Sequence, residues 1–141
     1  MSETPAKADR APISGLVAMI HVADVERSAR FYRLLGFEIG NSVPAEGPLQ
    51  WAWLYAPGAP DWKRGPNLMV ARSERPLDPG AQDVLFYLYA TDLPALRSHL
   101  QTEGITAGPI KYPDYLPNGE CRVQDPDGYT LMLAQSTAAT P

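Results

Sequence analysis

The run from Met19 to Phe37, Met-Ile-His-Val-Ala-Asp-Val-Glu-Arg-Ser-Ala-Arg-Phe-Tyr-Arg-Leu-Leu-Gly-Phe, constrains the fold more than any other part of the chain. It reads as a strand ending near His21, a sharp turn, one amphipathic helix over 24–35, a glycine stop and a new strand. Asp24 is a strong helix N-cap, because its carboxylate can accept the free N–H groups of the first turn. Val25, Ala29, Tyr32 and Leu35 recur at helical spacing, so one face is apolar, while Glu26, Arg27, Arg30 and Arg33 point largely to water. Gly36 falls where a left-handed C-terminal residue is wanted, and Phe37-Glu38-Ile39 restarts an extended pattern.

The pattern then starts again. Val84 to Ala90 reads as a strand and Asp92 as a second N-cap. Leu93, Leu96 and Leu100 line one helix face, Pro94 sits harmlessly in the first turn, and Gly104 ends the helix before a strand opening at Ile105. Asp24, Val25, Gly36 and Phe37 recur 68 positions later as Asp92, Leu93, Gly104 and Ile105. Residues 65–71 recur 63 positions later as residues 128–134. Between these marks lie strands at 37–42, 49–56 and 67–72 in the first half, and at 119–125 and 129–135 in the second. The turn Asp125-Pro126-Asp127-Gly128 separates the last two. A βαβββ unit therefore appears twice, over 13–74 and 84–135, joined by a linker at 75–83. Tails are expected at 1–12, as a disordered segment, and at 136–141. One unit is too small to bury both faces of its sheet, so the two are expected to combine as an α+β protein around a shared core.

Composition narrows the function classes. The 141 residues are 45% hydrophobic and 20% charged with a net charge of −4, and no Lys/Arg cluster suggests a nucleic-acid phosphate binder. No apolar run approaches the ~20 residues of a membrane-spanning helix. Residues 1–12 are polar and lack the apolar stretch of a secretory signal. Cys121 is the lone cysteine, as suits a reducing cytoplasm. Fifteen prolines and eleven glycines cut the chain into short elements.

A doubled βαβββ unit with His-Val-Ala-Asp-Val-Glu-Arg-Ser-Ala-Arg-Phe-Tyr…Leu-Gly-Phe near its start and Asp-Pro-Asp-Gly-Tyr near its end resembles the vicinal oxygen chelate superfamily. That group includes glyoxalase I, the bleomycin-resistance proteins and the extradiol dioxygenases. The resemblance covers roughly residues 14–135. It implies two modules forming a curved mixed sheet around a cavity, and often a homodimer in which modules of two chains pair. In metal-using members it implies ligands on the first, fourth, fifth and eighth strands, which here are His21, Met69, Tyr89 and Met132. Zinc, nickel, iron or manganese would want imidazole and carboxylate there, so no metal cofactor is expected. The alternative is a divalent metal held by His21 with a ligand from a shifted position, for instance Glu120, in a lyase or dioxygenase.

Period-2 alternation assigns the cavity face. Trp51, Trp53 and Tyr55 form an aromatic row, Tyr87 and Tyr89 share a second strand, and Glu120, Arg122 and Gln124 form a polar row. His21, Met69 and Met132 complete the expected ligand-binding set. Each has a plainer reading: a strand histidine with one hydrogen bond, ordinary aromatic core, methionine filler, and a Glu120–Arg122 pair that neutralises itself. Tyr112 and Tyr115 sit in a loop able to cap the cavity or merely cross it. The leading functional reading is a metal-free protein that binds an aromatic or planar small molecule. An enzyme using His21 as general base and Tyr89 or Glu120 as acid is the second, although no nucleophile–base pair is recognisable. A protein whose cavity has closed is the third.

Overall fold

The computed structural model describes residues 12–59, 61 and 64–137. Residues 1–11 of the expected amino-terminal tail and 138–141 of the expected carboxy-terminal tail lie outside them. The element order is β1 (Met19–Val22), α1 (Val25–Leu34), β2 (Glu38–Val43), β3 (Trp51–Tyr55), β4 (Asn67–Arg72), β5 (Leu85–Ala90), α2 (Leu93–Thr102), β6 (Glu120–Gln124) and β7 (Thr130–Gln135).

Both helices begin as the capping pattern requires. Asp24 accepts from the Arg27 N–H at 3.0 Å and Asp92 from the Ala95 N–H at 3.1 Å. Gly36 and Gly104 follow the helices with φ of 96° and 83°, a left-handed geometry that a side chain would strain. The first sheet has the order β1-β4-β3-β2, with β1 parallel to β4 and the other pairs antiparallel. The second has the order β5-β7-β6, with β5 parallel to β7 and β6 antiparallel to it. The two modules therefore repeat one topology.

The expected strand opening at Ile105 is the exception. That segment makes only two isolated bridges to β6, Ala107 to Val123 and Lys111 to Glu120. Gly108-Pro109 and Pro113 interrupt it: proline has no N–H to give to a ladder, and glycine resists an extended conformation. A short 3-10 turn at Pro79–Ala81 lies in the linker and was not expected.

One hydrophobic cluster runs through both modules, including Ile20, Val22, Leu54 and Val70 from the first sheet and Cys121, Val123, Leu131 and Leu133 from the second. In β1, β3, β4, β5, β6 and β7 alternate residues point into it, which is the physical content of the period-2 pattern, while β2 at the sheet edge stays outside it. The modules are fastened where α1 meets the Asp125–Gly128 turn. The Tyr32 hydroxyl donates to Asp125 at 2.6 Å, and Asp127 accepts from the Ala23 N–H at 2.9 Å and from the Arg27 guanidinium at 3.0 Å. Tyr129 adds an O–H bond to the His21 carbonyl at 2.9 Å. Burial and the adjacent Asp125 carboxylate push the Tyr32 phenol far above its ordinary range, so it stays a donor. No helix among the described residues is long and apolar enough to cross a membrane.

Candidate ligand-binding faces

Each sheet keeps one face out of the core, and these two faces hold the expected site residues. On the first sheet, Trp51, Trp53, Tyr55 and Met69 are half-buried. The Trp53 and Tyr55 rings stack at 5.2 Å with 11° between their planes. The Trp53 indole N–H donates to Asn67 at 3.1 Å, so what Trp53 offers a ligand is its flat face. Gly40, at a register irregularity in β2, makes room for that ring. A Cβ there would stand 2.5 Å from two indole carbons. Val17, Asn41, Trp51, Trp53 and Met69 line a shallow hollow of about 350 Å³. His21 is exposed beside them on β1.

The second sheet presents a different surface. Tyr87 and Tyr89 stack at 6.4 Å and are each about 40% exposed (40% and 43%). Glu120 is only 6% exposed, and each of its carboxylate oxygens accepts a phenol: Tyr87 O–H at 3.2 Å and Tyr115 O–H at 2.8 Å. Arg122 donates instead to Thr130 at 3.2 Å. The plainer reading of Glu120 and Arg122 as a self-neutralising pair does not hold: they have separate partners, because the longer Arg122 side chain reaches across to β7. Tyr115, placed in a capping or crossing loop by sequence reasoning and left out of the expected ligand set, belongs to this face. The Lys111–Glu120 bridge closes its loop into a hairpin and brings it within reach. The sequence signal was present in Gly119, whose φ of 112° marks the hairpin end. Donation to Glu120 holds the Tyr115 phenol up at about 12.

The ten expected site residues therefore divide between two faces. Trp51, Trp53 and Met69 share the first hollow. Tyr87 and Tyr89 border another, of about 670 Å³, which opens toward Leu35, Phe37 and Pro66 of the first module. The four positions implied as metal ligands divide likewise, His21 and Met69 on one sheet and Tyr89 and Met132 on the other. Their donor set is one imidazole, one phenol and two thioethers, and Glu120 already has a phenol on each oxygen. Among the described residues no three His, Cys, Asp or Glu side chains come together as a metal site. These residues do not fit the first-row divalent metals of the superfamily.

Residues 18–47 match the family model of the bleomycin resistance protein-like N-terminal domain. None of the curated protein sequences matches the chain. Among solved structures, a bleomycin-binding protein complexed with bleomycin is 21% identical, covers 89% of this chain and 100% of its own, and has a TM-score of 0.66. TnmS3, an antibiotic binding protein from Streptomyces sp. CB03234, is 23% identical over 91% of this chain and 100% of its own, with a TM-score of 0.66. TioX from Micromonospora sp. ML1 is 19% identical over 88% and 99%, with a TM-score of 0.69. These likenesses show the fold, which is the one the bleomycin-binding protein, TnmS3 and TioX share.

Proposed function

We propose that this protein binds an aromatic or planar small molecule without a resident metal, and that it does so as a homodimer. The observation that carries the reading is the Trp51–Trp53–Tyr55 wall. Its rings are half-exposed, the Trp53 N–H is already bonded, and Gly40 keeps the indole flat. Dry core packing would have covered these rings, whereas a flat ligand would use them as they stand.

The dimer follows from what one chain leaves open. β1 and β5 are edge strands in their sheets, and Leu16, Met19, Val84, Leu85, Tyr87 and Tyr89 stand exposed on or beside them. An apolar edge of this kind invites pairing with a second chain. In such a pair, the tryptophan wall of one protomer faces the tyrosine face of its partner, giving two composite sites related by a two-fold axis. The bleomycin-binding and antibiotic-binding proteins that share this fold are consistent with a ligand of this kind.

The test is fluorescence titration with two planar tricyclic dyes, neutral acridone and cationic proflavine, alongside light scattering. Saturable binding is expected, at a mass twice that of the chain. Trp53→Ala is expected to weaken binding roughly 2- to 10-fold, the factor that one lost stacking contact is worth. Failure of both dyes to saturate, or equal affinity after Trp53→Ala, would overturn the assigned site. A monomer mass at all concentrations would overturn the dimer.

A further inference from the structure

Glu120 is a carboxylate almost wholly removed from water, beside the buried Ala134 of β7 and the part-exposed Tyr87 and Tyr89 of β5. Burying a carboxylate is costly unless a cation or several donors offset the lost hydration. Among the described residues, the ion pairs are Arg27–Asp127 and Arg64–Asp61, and neither involves Glu120. The nearest arginine along β6, Arg122, bonds to Thr130. What Glu120 has is one phenol O–H on each oxygen. An ionised carboxylate offers about four acceptor positions, so half of its capacity is unspent.

Opposite it in the ladder stand Ala134 of β7 and Lys111 of the 111–120 hairpin, and among the described residues Lys111 makes no ion pair with it; the other groups beside it are aromatic. Tyr87 and Tyr89 lie stacked along β5, and the register places Tyr89 and Glu120 opposite the same residue of β7, Ala134. Tyr115 arrives from the 111–120 hairpin, whose other tyrosine, Tyr112, rests against Gly119. A carboxylate with spare lone pairs beside exposed tyrosine rings is the chemistry that recognises an organic cation, through charge and through the electron-rich ring faces.

We infer that Glu120 receives a positively charged nitrogen of the ligand, so that this protein selects planar cations over planar neutral molecules. The inference rests on the aromatic-ligand reading above and specifies its ligand class. Tyr115 then acts as the latch of the site. Tyr115 is 68% exposed, so it has room to swing out, and a ligand ammonium replaces its hydroxyl on Glu120. While the site is empty, its hydroxyl donates to the carboxylate at 2.8 Å.

Proflavine and acridone share one ring framework and differ in charge, so the ratio of their affinities isolates the cation. In the wild-type protein, proflavine is expected to bind about tenfold more tightly than acridone. In Glu120→Gln, which keeps the shape and removes the charge, the ratio is expected to fall to about one. Tyr115→Phe removes the competing hydroxyl at an exposed position that does not threaten folding, and should raise the ratio about 2- to 5-fold. A wild-type ratio near one, or a preference that persists in Glu120→Gln, would overturn the cation site and leave the aromatic site standing. If neither dye binds, both fall together. Should Glu120→Gln fail to fold, Tyr115→Phe decides alone: a raised ratio supports the assignment, and an unchanged or lowered one overturns it.

Discussion

Trp51, Trp53 and Tyr55 on β3 and Glu120, Arg122 and Gln124 on β6 occupy the same seats in their two sheets. Trp53 stands opposite Met69 of β4, and Arg122 opposite Met132 of β7, which is Met69's counterpart in the repeat. Likewise Trp51 faces Ala71 where Glu120 faces Ala134. One residue away, the inward positions remain alike: Leu68 and Leu131, and Val70 and Leu133, are all buried and apolar. The repeat holds where the shared core demands it and diverges where the sheet looks outward. One module has become an aromatic wall and the other a charged, hydrogen-bonded floor. A ligand that touches both would be held by stacking on one side and by charge on the other.

The largest losses are expected in the half that is alike. Leu68→Ala and Leu131→Ala are each expected to cost about 2–5 kcal/mol, read from urea midpoints with an unchanged slope. Leu131, with no exposed surface, should lie at the upper end, and Leu68, at 8% exposure, lower. A negligible loss at either position would mean that the modules do not share one core.

The joint between the modules is where the repeat is least symmetric. Tyr32 on α1 has Leu100 as its counterpart on α2, 68 positions on, and both are buried. Only Tyr32 carries a hydroxyl, and only it meets a buried carboxylate. Tyr32→Phe removes the donor and leaves an Asp125 oxygen in a dry place, with an expected cost of about 1–3 kcal/mol. Burial already raises the Asp125 carboxyl above its ordinary value, and losing the Tyr32 donor should raise it further. Because a carboxyl raised on folding favours the folded state as it takes up its proton, the cost of Tyr32→Phe should shrink as pH falls through the carboxylate range, and a cost that grows on acidification would contradict this.

A smaller effect sharpens the polar face. Tyr115 donates to Glu120, and the proton so held moves its phenol from 10.0 to about 12. A pKa raised on folding stabilises the folded state below the unfolded value, and that contribution disappears as pH climbs from about 10 to about 12. Spectrophotometric titration should show one fewer late-ionising tyrosine in Glu120→Gln than in the wild-type protein, where Tyr32 and Tyr115 are both held up. Identical curves would show that Tyr115 and Glu120 do not meet.

What the sequence disclosed and what it concealed follow the range of the forces involved. The helices were legible because Asp24, Asp92, Gly36 and Gly104 act on neighbours within a turn. The strand faces were legible because burial alternates along a strand, as Ala52 and Leu54 show against Trp51 and Trp53. The missing strand at Ile105 was written locally, in Gly108-Pro109 and Pro113, but the repeat with the first module outweighed it. The partners of Glu120 and Arg122 were not legible. Period-2 alternation reports which face a residue takes, and it is silent on how far a side chain reaches along that face. The division of the expected site residues between two faces was hidden for a longer-range reason: it depends on how the two modules pack, and the contact of α1 with the Asp125–Gly128 turn that fastens them spans about a hundred residues.

His21 and Tyr89 share a seat, one in each module, and His21 should give the smallest effect of all. Its side chain is exposed, while the contact it makes with Tyr129 uses its main-chain carbonyl, which every amino acid supplies. His21→Ala should therefore change stability by no more than about 0.5 kcal/mol, the usual range for a surface substitution. Its effect on dye binding should be smaller than that of Trp53→Ala, because an imidazole at the rim offers a single polar contact. Metal separates this reading from the superfamily alternative. If His21 led a chelating set, zinc or nickel would raise the melting temperature of the wild-type protein, and His21→Ala would abolish the rise. With thioethers at Met69 and Met132 and a phenol at Tyr89, the expected rise over a chelator-treated control is nil in both proteins. A saturable, His21-dependent rise would show that a shifted residue completes a metal site, and that the two open faces were joined by chelation as well as by stacking and charge.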